Sequence, residues 1–106
     1  MKMGIVLLAA AGVLSPAPAA AALDVVKKAR CVACHAVDKK MVGPSYREVA
    51  AKYKGQADVA ARLADKVRNG GSGVWGEIPM TPNDAGKISD ENLHAAIEWI
   101  LAGAPD

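Results

Sequence analysis

Cys31-Val32-Ala33-Cys34-His35 sets two thiols three residues apart with an imidazole immediately after the second. On a helical turn two sulfurs at that spacing fall on one face, where each can add to one vinyl group of a porphyrin. The histidine next in line can then reach the iron from beneath the ring. This is the attachment signature of c-type haem. The chain has only 2 cysteines, so the motif uses them all.

Three rival chemistries compete for the same atoms. A closed zinc shell needs four nitrogen or sulfur ligands, and the 2 cysteines and 2 histidines reach that number only with His35 poorly placed beside Cys34. A thioredoxin-like dithiol needs a strand-helix-strand setting, and no alternating strand-like run surrounds the motif. A bare disulfide would close a loop so short that it stabilises by only about 2 kcal/mol in the chain-entropy model. The residues favour covalent haem.

An iron held on one side by His35 has a second axial position. The stretch Gly70-Gly71-Ser72-Gly73-Val74-Trp75-Gly76-Glu77-Ile78-Pro79-Met80-Thr81-Pro82-Asn83 is too rich in Gly and Pro for helix or strand. A long irregular loop in a compact domain is usually functional. Met80 lies between Pro79 and Thr81-Pro82, which hold its backbone extended and stiff. A thioether on such a loop is what a sixth iron ligand requires. The plain alternative is methionine as a pliable gap-filler. On the His35 side, an imidazole that binds iron through one nitrogen needs an acceptor for its other N–H, and a backbone carbonyl near Pro44 is the natural candidate.

Four helices must carry these groups. The first is expected over Asp24 to Cys34, with Asp24 as N-cap, Val25, Val26, Ala29 and Val32 apolar, and Lys27, Lys28 and Arg30 on the polar face. Ala36 to Gly43 reads as a loop closing on the fixed Gly43-Pro44 turn. Ser45-x-x-Glu48 is a capping box that opens a second helix, with Tyr46, Val49, Ala50 and Tyr53 on its apolar stripe and Gly55 as its stop. A third helix is expected over Ala57 to Arg68, with Val59, Leu63 and Val67 at fourfold steps and Asn69-Gly70-Gly71 beyond its end. Lys66 and Arg68 complement the dipole in its last turn. Ser89-Asp90-Glu91 opens the last helix, with Leu93, Ile97, Ile100 and Leu101 on one stripe and Trp99 at its edge. His94 lies one step off that stripe and is expected to be exposed. No strand and no internal repeat is visible.

Length and composition set the bounds. With 106 residues, 52% hydrophobic, the chain makes one small domain preceded by a targeting segment. So short a chain buries little surface, and a large flat apolar cofactor would supply core. The formal charge of +2 and aromatic content of 4% give no basic, aromatic-laced stripe, which argues against a nucleic-acid binder. Lys2, the apolar run Gly4 to Leu14, and Ser15-Pro16-Ala17-Pro18-Ala19-Ala20-Ala21-Ala22 read as an export signal over residues 1–22, cut within 19–22. Residues 23–106 would then form the mature domain. The run is short for a bilayer span, although the small-residue tail leaves an uncleaved anchor as the alternative.

Taken together, Cys31-Val32-Ala33-Cys34-His35, Lys40-Met41-Val42-Gly43-Pro44, Gly73-Val74-Trp75-Gly76, Ile78-Pro79-Met80 with Pro82-Asn83, and the helix bearing Trp99 resemble a class I cytochrome c, closely the small bacterial c-551/c-552 type. The resemblance covers nearly all of the mature part. It implies an all-α, single-domain class I cytochrome c fold of about four helices around one haem c, with thioethers at Cys31 and Cys34 and axial ligands His35 and Met80. It also implies that the Pro44 carbonyl holds His35, that Lys66 and Trp75 meet the haem propionates, and that the Asn83 amide touches the Met80 sulfur. Two departures stand out: Val26 where the family usually has an aromatic, and Arg30 where Gly usually precedes the first Cys. The connection Asn83 to Ile88 is also longer than in compact members.

The function this resemblance implies is a soluble periplasmic electron carrier and not an enzyme. It would run between a membrane quinol:cytochrome c reductase and a terminal nitrite reductase or cytochrome oxidase. It would meet these partners transiently at the membrane surface, as a monomer. A haem enzyme with an open sixth site is the alternative.

Overall fold

The computed structural model describes residues 19–106. Most of the expected export signal therefore lies outside the described residues. The described part is all-α: α1 (Ala19–Lys28), a single 3-10 turn (Cys31–Ala33), α2 (Tyr46–Tyr53), α3 (Val59–Asn69) and α4 (Asp90–Leu101). Among these residues the one piece of β pairing is an isolated antiparallel bridge between Gly71 and Met80.

Two helices begin where their caps place them. Both halves of the capping box are present in α2: Glu48 N–H donates to Ser45 Oγ at 3.0 Å and Ser45 N–H donates to Glu48 Oε2 at 2.8 Å. In α4 the Asn92 N–H donates to Ser89 Oγ at 3.2 Å. Such caps satisfy amides that the first helical turn leaves orphaned.

Three boundaries differ from expectation. The first helix is already formed at Ala19, the first described residue, and stops at Lys28, whereas the sequence pattern placed it over Asp24 to Cys34. The alanine run has the highest helix propensity, and Ala22 and Val26, four apart, are both buried, so the helix extends towards the N-terminus. At its other end Arg30 sits in the left-handed region at φ 63°, which breaks the ladder before the first cysteine. The third helix begins at Val59 because Asp58 also takes a left-handed conformation, at φ 59°.

The last helix organises the packing, since α4 touches α1, α2 and α3. One apolar cluster comprises Ala22, Val26, Tyr46, Ala96, Trp99 and Ala104. Its rings meet edge to face, Tyr46 and Trp99 being 5.6 Å apart, and Trp99 Nε1 donates to the Pro105 carbonyl at 3.0 Å. A second cluster holds Ala29, Ile88, Leu93 and Ile97, with Leu63 and Val67 of α3 packed against it. Cys31 borders both clusters, so the first thiol sits at the seam of the core. Tyr46 is core, while Tyr53 is half-buried with the Arg62 guanidinium 5.7 Å above its ring. His94 is exposed and pairs with Glu98 at 3.4 Å.

Candidate functional site

The first half of the site is built on the 3-10 turn. The amides of Cys34 and His35 both donate to the Cys31 carbonyl, at 3.1 and 3.0 Å, so the two thiols and the imidazole leave one tight turn. Cys34 is exposed and Cys31 is half-buried; both are free thiols in this structure. Burial pushes the Cys31 thiol above its usual range, while the nearby Lys87 charge pulls it back.

Three contacts set the direction of the His35 ring. Its Nδ1–H donates to the buried Pro44 carbonyl at 2.7 Å, which fixes the tautomer and leaves Nε2 free for a metal. Tyr46 stacks on it, with centroids 5.5 Å apart and planes 19° from parallel. Gly43 lies against its edge, where a Cβ would come within 2.6 Å of Cε1. Only glycine fits there. The loop returns through Gly43 N–H to the Cys34 carbonyl at 2.8 Å, and through Tyr46 N–H to Ala36 at 2.9 Å.

The second half is the loop after α3. Gly71 and Met80 exchange backbone hydrogen bonds of 3.0 and 2.9 Å, closing the loop at its neck. A Cβ on Gly70 would collide with the Met80 carbonyl, and Gly70 itself has φ 69°, so glycine is required on both counts. Lys66 brings its ammonium beside Gly71, where a Cβ would stand 3.2 Å from Nζ. Trp75 is 41% exposed, with the Lys52 ammonium 5.2 Å from its ring centre. Met80 is half-buried.

Asn83 is buried and braces the far side of Met80. Its amide nitrogen donates to the carbonyls of Val67 at 3.2 Å and Thr81 at 2.9 Å, and its backbone N–H donates to Val67 at 3.0 Å. Both amide hydrogens go to backbone carbonyls in this structure.

The surface around these residues suits a haem. Among the described residues the large hydrophobics left exposed are Val32, Met41, Val42, Val74, Trp75 and Ile78. All six lie in the two stretches that carry Cys31 to Pro44 and Gly70 to Asn83. That is where a flat apolar ring would cover them. The donor set agrees: two free thiols, one imidazole with Nε2 uncommitted, and one thioether. The residues fit the group.

Residues 19–104 match the Cytochrome c family model. The chain belongs to the cytochrome c family. Cytochrome c-551 of Pseudomonas aeruginosa is 51% identical over 76 residues, covering 72% of this chain and 70% of that protein. Cytochrome c-552 of Nitrosomonas europaea is 46% identical over 93 residues, 88% of each chain. Its crystal structure superposes with a TM-score of 0.71 at 47% identity, over 76% of this chain and 98% of that one. The class 1 cytochrome MtoD of Sideroxydans lithotrophicus superposes at 0.70 with 36% identity, over 81% and 96% of the two chains. This is thus a small class I c-type cytochrome, a monohaem electron-transport protein whose haem c is attached through Cys31 and Cys34.

Several contributors were not read from sequence as site residues. In the sequence Gly43 reads only as a turn, Tyr46 only as core and Arg68 only as a complement to the helix dipole, and Lys52 carries no signal. The signal for Gly43 was available, since a glycine against an imidazole is a close-approach position. Arg68 had none: its partners lie 15 to 22 residues along the chain.

Proposed function

We propose that this chain is a soluble periplasmic cytochrome that carries single electrons from a membrane quinol-oxidising complex to a terminal reductase, such as nitrite reductase, or to an oxidase. The reading assigns His35 and Met80 as axial iron ligands, Pro44 as the acceptor that orients His35, and Lys66 and Trp75 as partners of the haem propionates. It further assigns the Asn83 amide to the Met80 sulfur, on a residue whose bonds to Val67 and Thr81 also brace the loop. The observation that carries it is the His35 to Pro44 hydrogen bond of 2.7 Å, which commits Nδ1 and presents Nε2.

The bound haem supplies a reversible one-electron couple between ferric and ferrous iron. The chain's part is to keep that couple free of other chemistry. With the iron held by His35 and Met80 together, no site would be left for oxygen or peroxide, and the neutral Met80 thioether would favour the ferrous charge. His35 is held in one tautomer by Pro44 and in one orientation by Tyr46 and Gly43, so little reorganisation accompanies the change in charge. The docking face is the patch around the haem edge near Cys31 and Met80, and exposed Lys27, Lys28, Arg30, Lys39 and Lys40 steer acidic redox partners towards it.

Export completes the reading. Among the described residues no helix is long and apolar enough to cross a membrane. Ala22 has no exposed surface and belongs to the core, so a cut ahead of Ala22, within Ala19 to Ala21, keeps that core whole.

The deciding experiment is the visible spectrum of the oxidised holoprotein. A sulfur-to-ferric-iron charge-transfer band that disappears in Met80→Ala supports the carrier. A five-coordinate spectrum in the unmodified protein supports the haem enzyme instead. Reduction of purified nitrite reductase and oxidase, followed across a range of salt, then identifies the acceptor.

A further inference from the structure

One side chain fastens the whole connection that follows Met80. Arg68, in the last turn of α3, has its side chain only 21% exposed. Its Nη1 donates to the carbonyls of Asn83 at 3.2 Å and Ile88 at 2.7 Å, and its Nη2 donates to Asp90 Oδ1 at 2.5 Å. These acceptors are the two ends of the 83–88 connection and the first residue of α4. A planar guanidinium is suited to such a fork, since its donors diverge in one plane and stay charged. The neighbouring Val67 carbonyl accepts from both the side-chain amide and the backbone N–H of Asn83. Within the connection itself the bonds are local: Lys87 and Ile88 amides return to the Asp84 carbonyl, both at 3.1 Å, and Lys87 N–H also meets Asp84 Oδ1 at 3.0 Å. A local turn of that kind opens and closes as a unit, so its attachment to the body depends on the ties at its ends.

We propose that Arg68 is a positioning residue for Met80, holding the segment behind it against α3 so that the thioether stays on the iron. This rests on the assignment of Met80 as the sixth ligand. Met80 is fixed in front by its bridge to Gly71 and behind, three residues on, by Asn83. For the sulfur to withdraw, one of these attachments has to open. The bridge is backbone to backbone, whereas the rear attachment combines the Asn83 bonds to the Val67 carbonyl with the Arg68 fork, and Arg68 is the side chain that ties both ends of the connection to α3. Within that fork the two carbonyl bonds matter more than the ion pair, because Asp90 is 95% exposed and an exposed pair contributes little.

The test uses oxidised holoprotein and imidazole, which enters the sixth position only after Met80 leaves. At saturating imidazole the observed rate becomes the rate of Met80 departure. Arg68→Ala is expected to raise that limiting rate about tenfold, equivalent to about 1.4 kcal/mol. Arg68→Lys, which cannot span both carbonyls, is expected to raise it by about threefold, and Arg68→Gln by a similar factor. Asp90→Asn should leave it within about twofold of the original. Urea midpoints on the same samples separate positioning from bulk stability. A fall in midpoint with the limiting rate unchanged in the Arg68 variants overturns the proposal, as does an Asp90→Asn effect equal to that of Arg68→Ala. If Arg68→Ala fails to accumulate, the Lys and Gln variants carry the comparison, and unchanged rates in both overturn it equally. Failure of the underlying assignment looks different: the unmodified protein would then lack the sulfur-to-iron band and show no limiting rate at all.

Discussion

Arg30 and Tyr46 show how single residues record the demands of the site. Arg30 stands in the left-handed region between the end of α1 and the first cysteine, at φ 63°. That conformation costs a residue with a Cβ roughly 1–2 kcal/mol, and glycine gives back roughly 0.4–1 kcal/mol through its freer unfolded chain. Arg30→Gly is therefore expected to stabilise the holoprotein by roughly 0.5–1 kcal/mol, a rise in thermal midpoint of about 2–8 °C by calorimetry. An unchanged or lower midpoint counts against the strain. Tyr46 has the one buried side-chain polar atom, among the described residues, without a hydrogen-bond partner. Burial pushes its hydroxyl well above the ordinary 10.0. The folded state thus binds this proton more tightly than the unfolded chain. That contribution is complete below the ordinary pKa and is lost as pH climbs through and beyond it. Tyr46→Phe should leave neutral-pH stability within about 1 kcal/mol and reduce the fall in urea midpoint between about pH 8 and about pH 11. Equal falls in both proteins would remove Tyr46 as the cause.

At the scale of elements, the helices were legible where a side chain announces their ends. Ser45 with Glu48, and Ser89, mark the starts of α2 and α4 because capping is local chemistry. The end of α1 and the start of α3 were not legible, since Arg30 and Asp58 adopt left-handed conformations that neither residue advertises. The early start of α1 has a processing consequence. Ala22 packs with Val26 and Trp99, so export should yield a chain beginning at Ala20, Ala21 or Ala22. Intact mass of the periplasmic holoprotein checks this, and a mature chain beginning at Leu23 would show that the core tolerates its loss.

At the scale of the whole molecule, the core is thin for the load it carries. Its largest fully buried side chains are only Val26 and Ser45, while six large hydrophobics in the two site stretches stay exposed. A chain this small buries a modest share of its surface, and its stability is a few kcal/mol at best without help. The cofactor is therefore part of the fold as well as of the function. The double variant Cys31→Ala, Cys34→Ala, exported without haem, is expected to lose most of its helical circular dichroism. Full helix content together with a cooperative thermal transition would show that the polypeptide folds without the ring.

The sequence by itself determined the chemistry: the attachment pair, the imidazole beside it, the stiff methionine loop and the number of helices. Those depend on short-range spacing, periodicity and caps, which are written locally. Only the tertiary structure decided what holds the ligand-bearing pieces still. The Gly43 contact, the Gly71 to Met80 bridge, the Asn83 bonds to Val67 and the Arg68 fork join residues through space. Hydrogen bonds between distant segments depend on how α3 and α4 pack, and packing is a property of the whole chain.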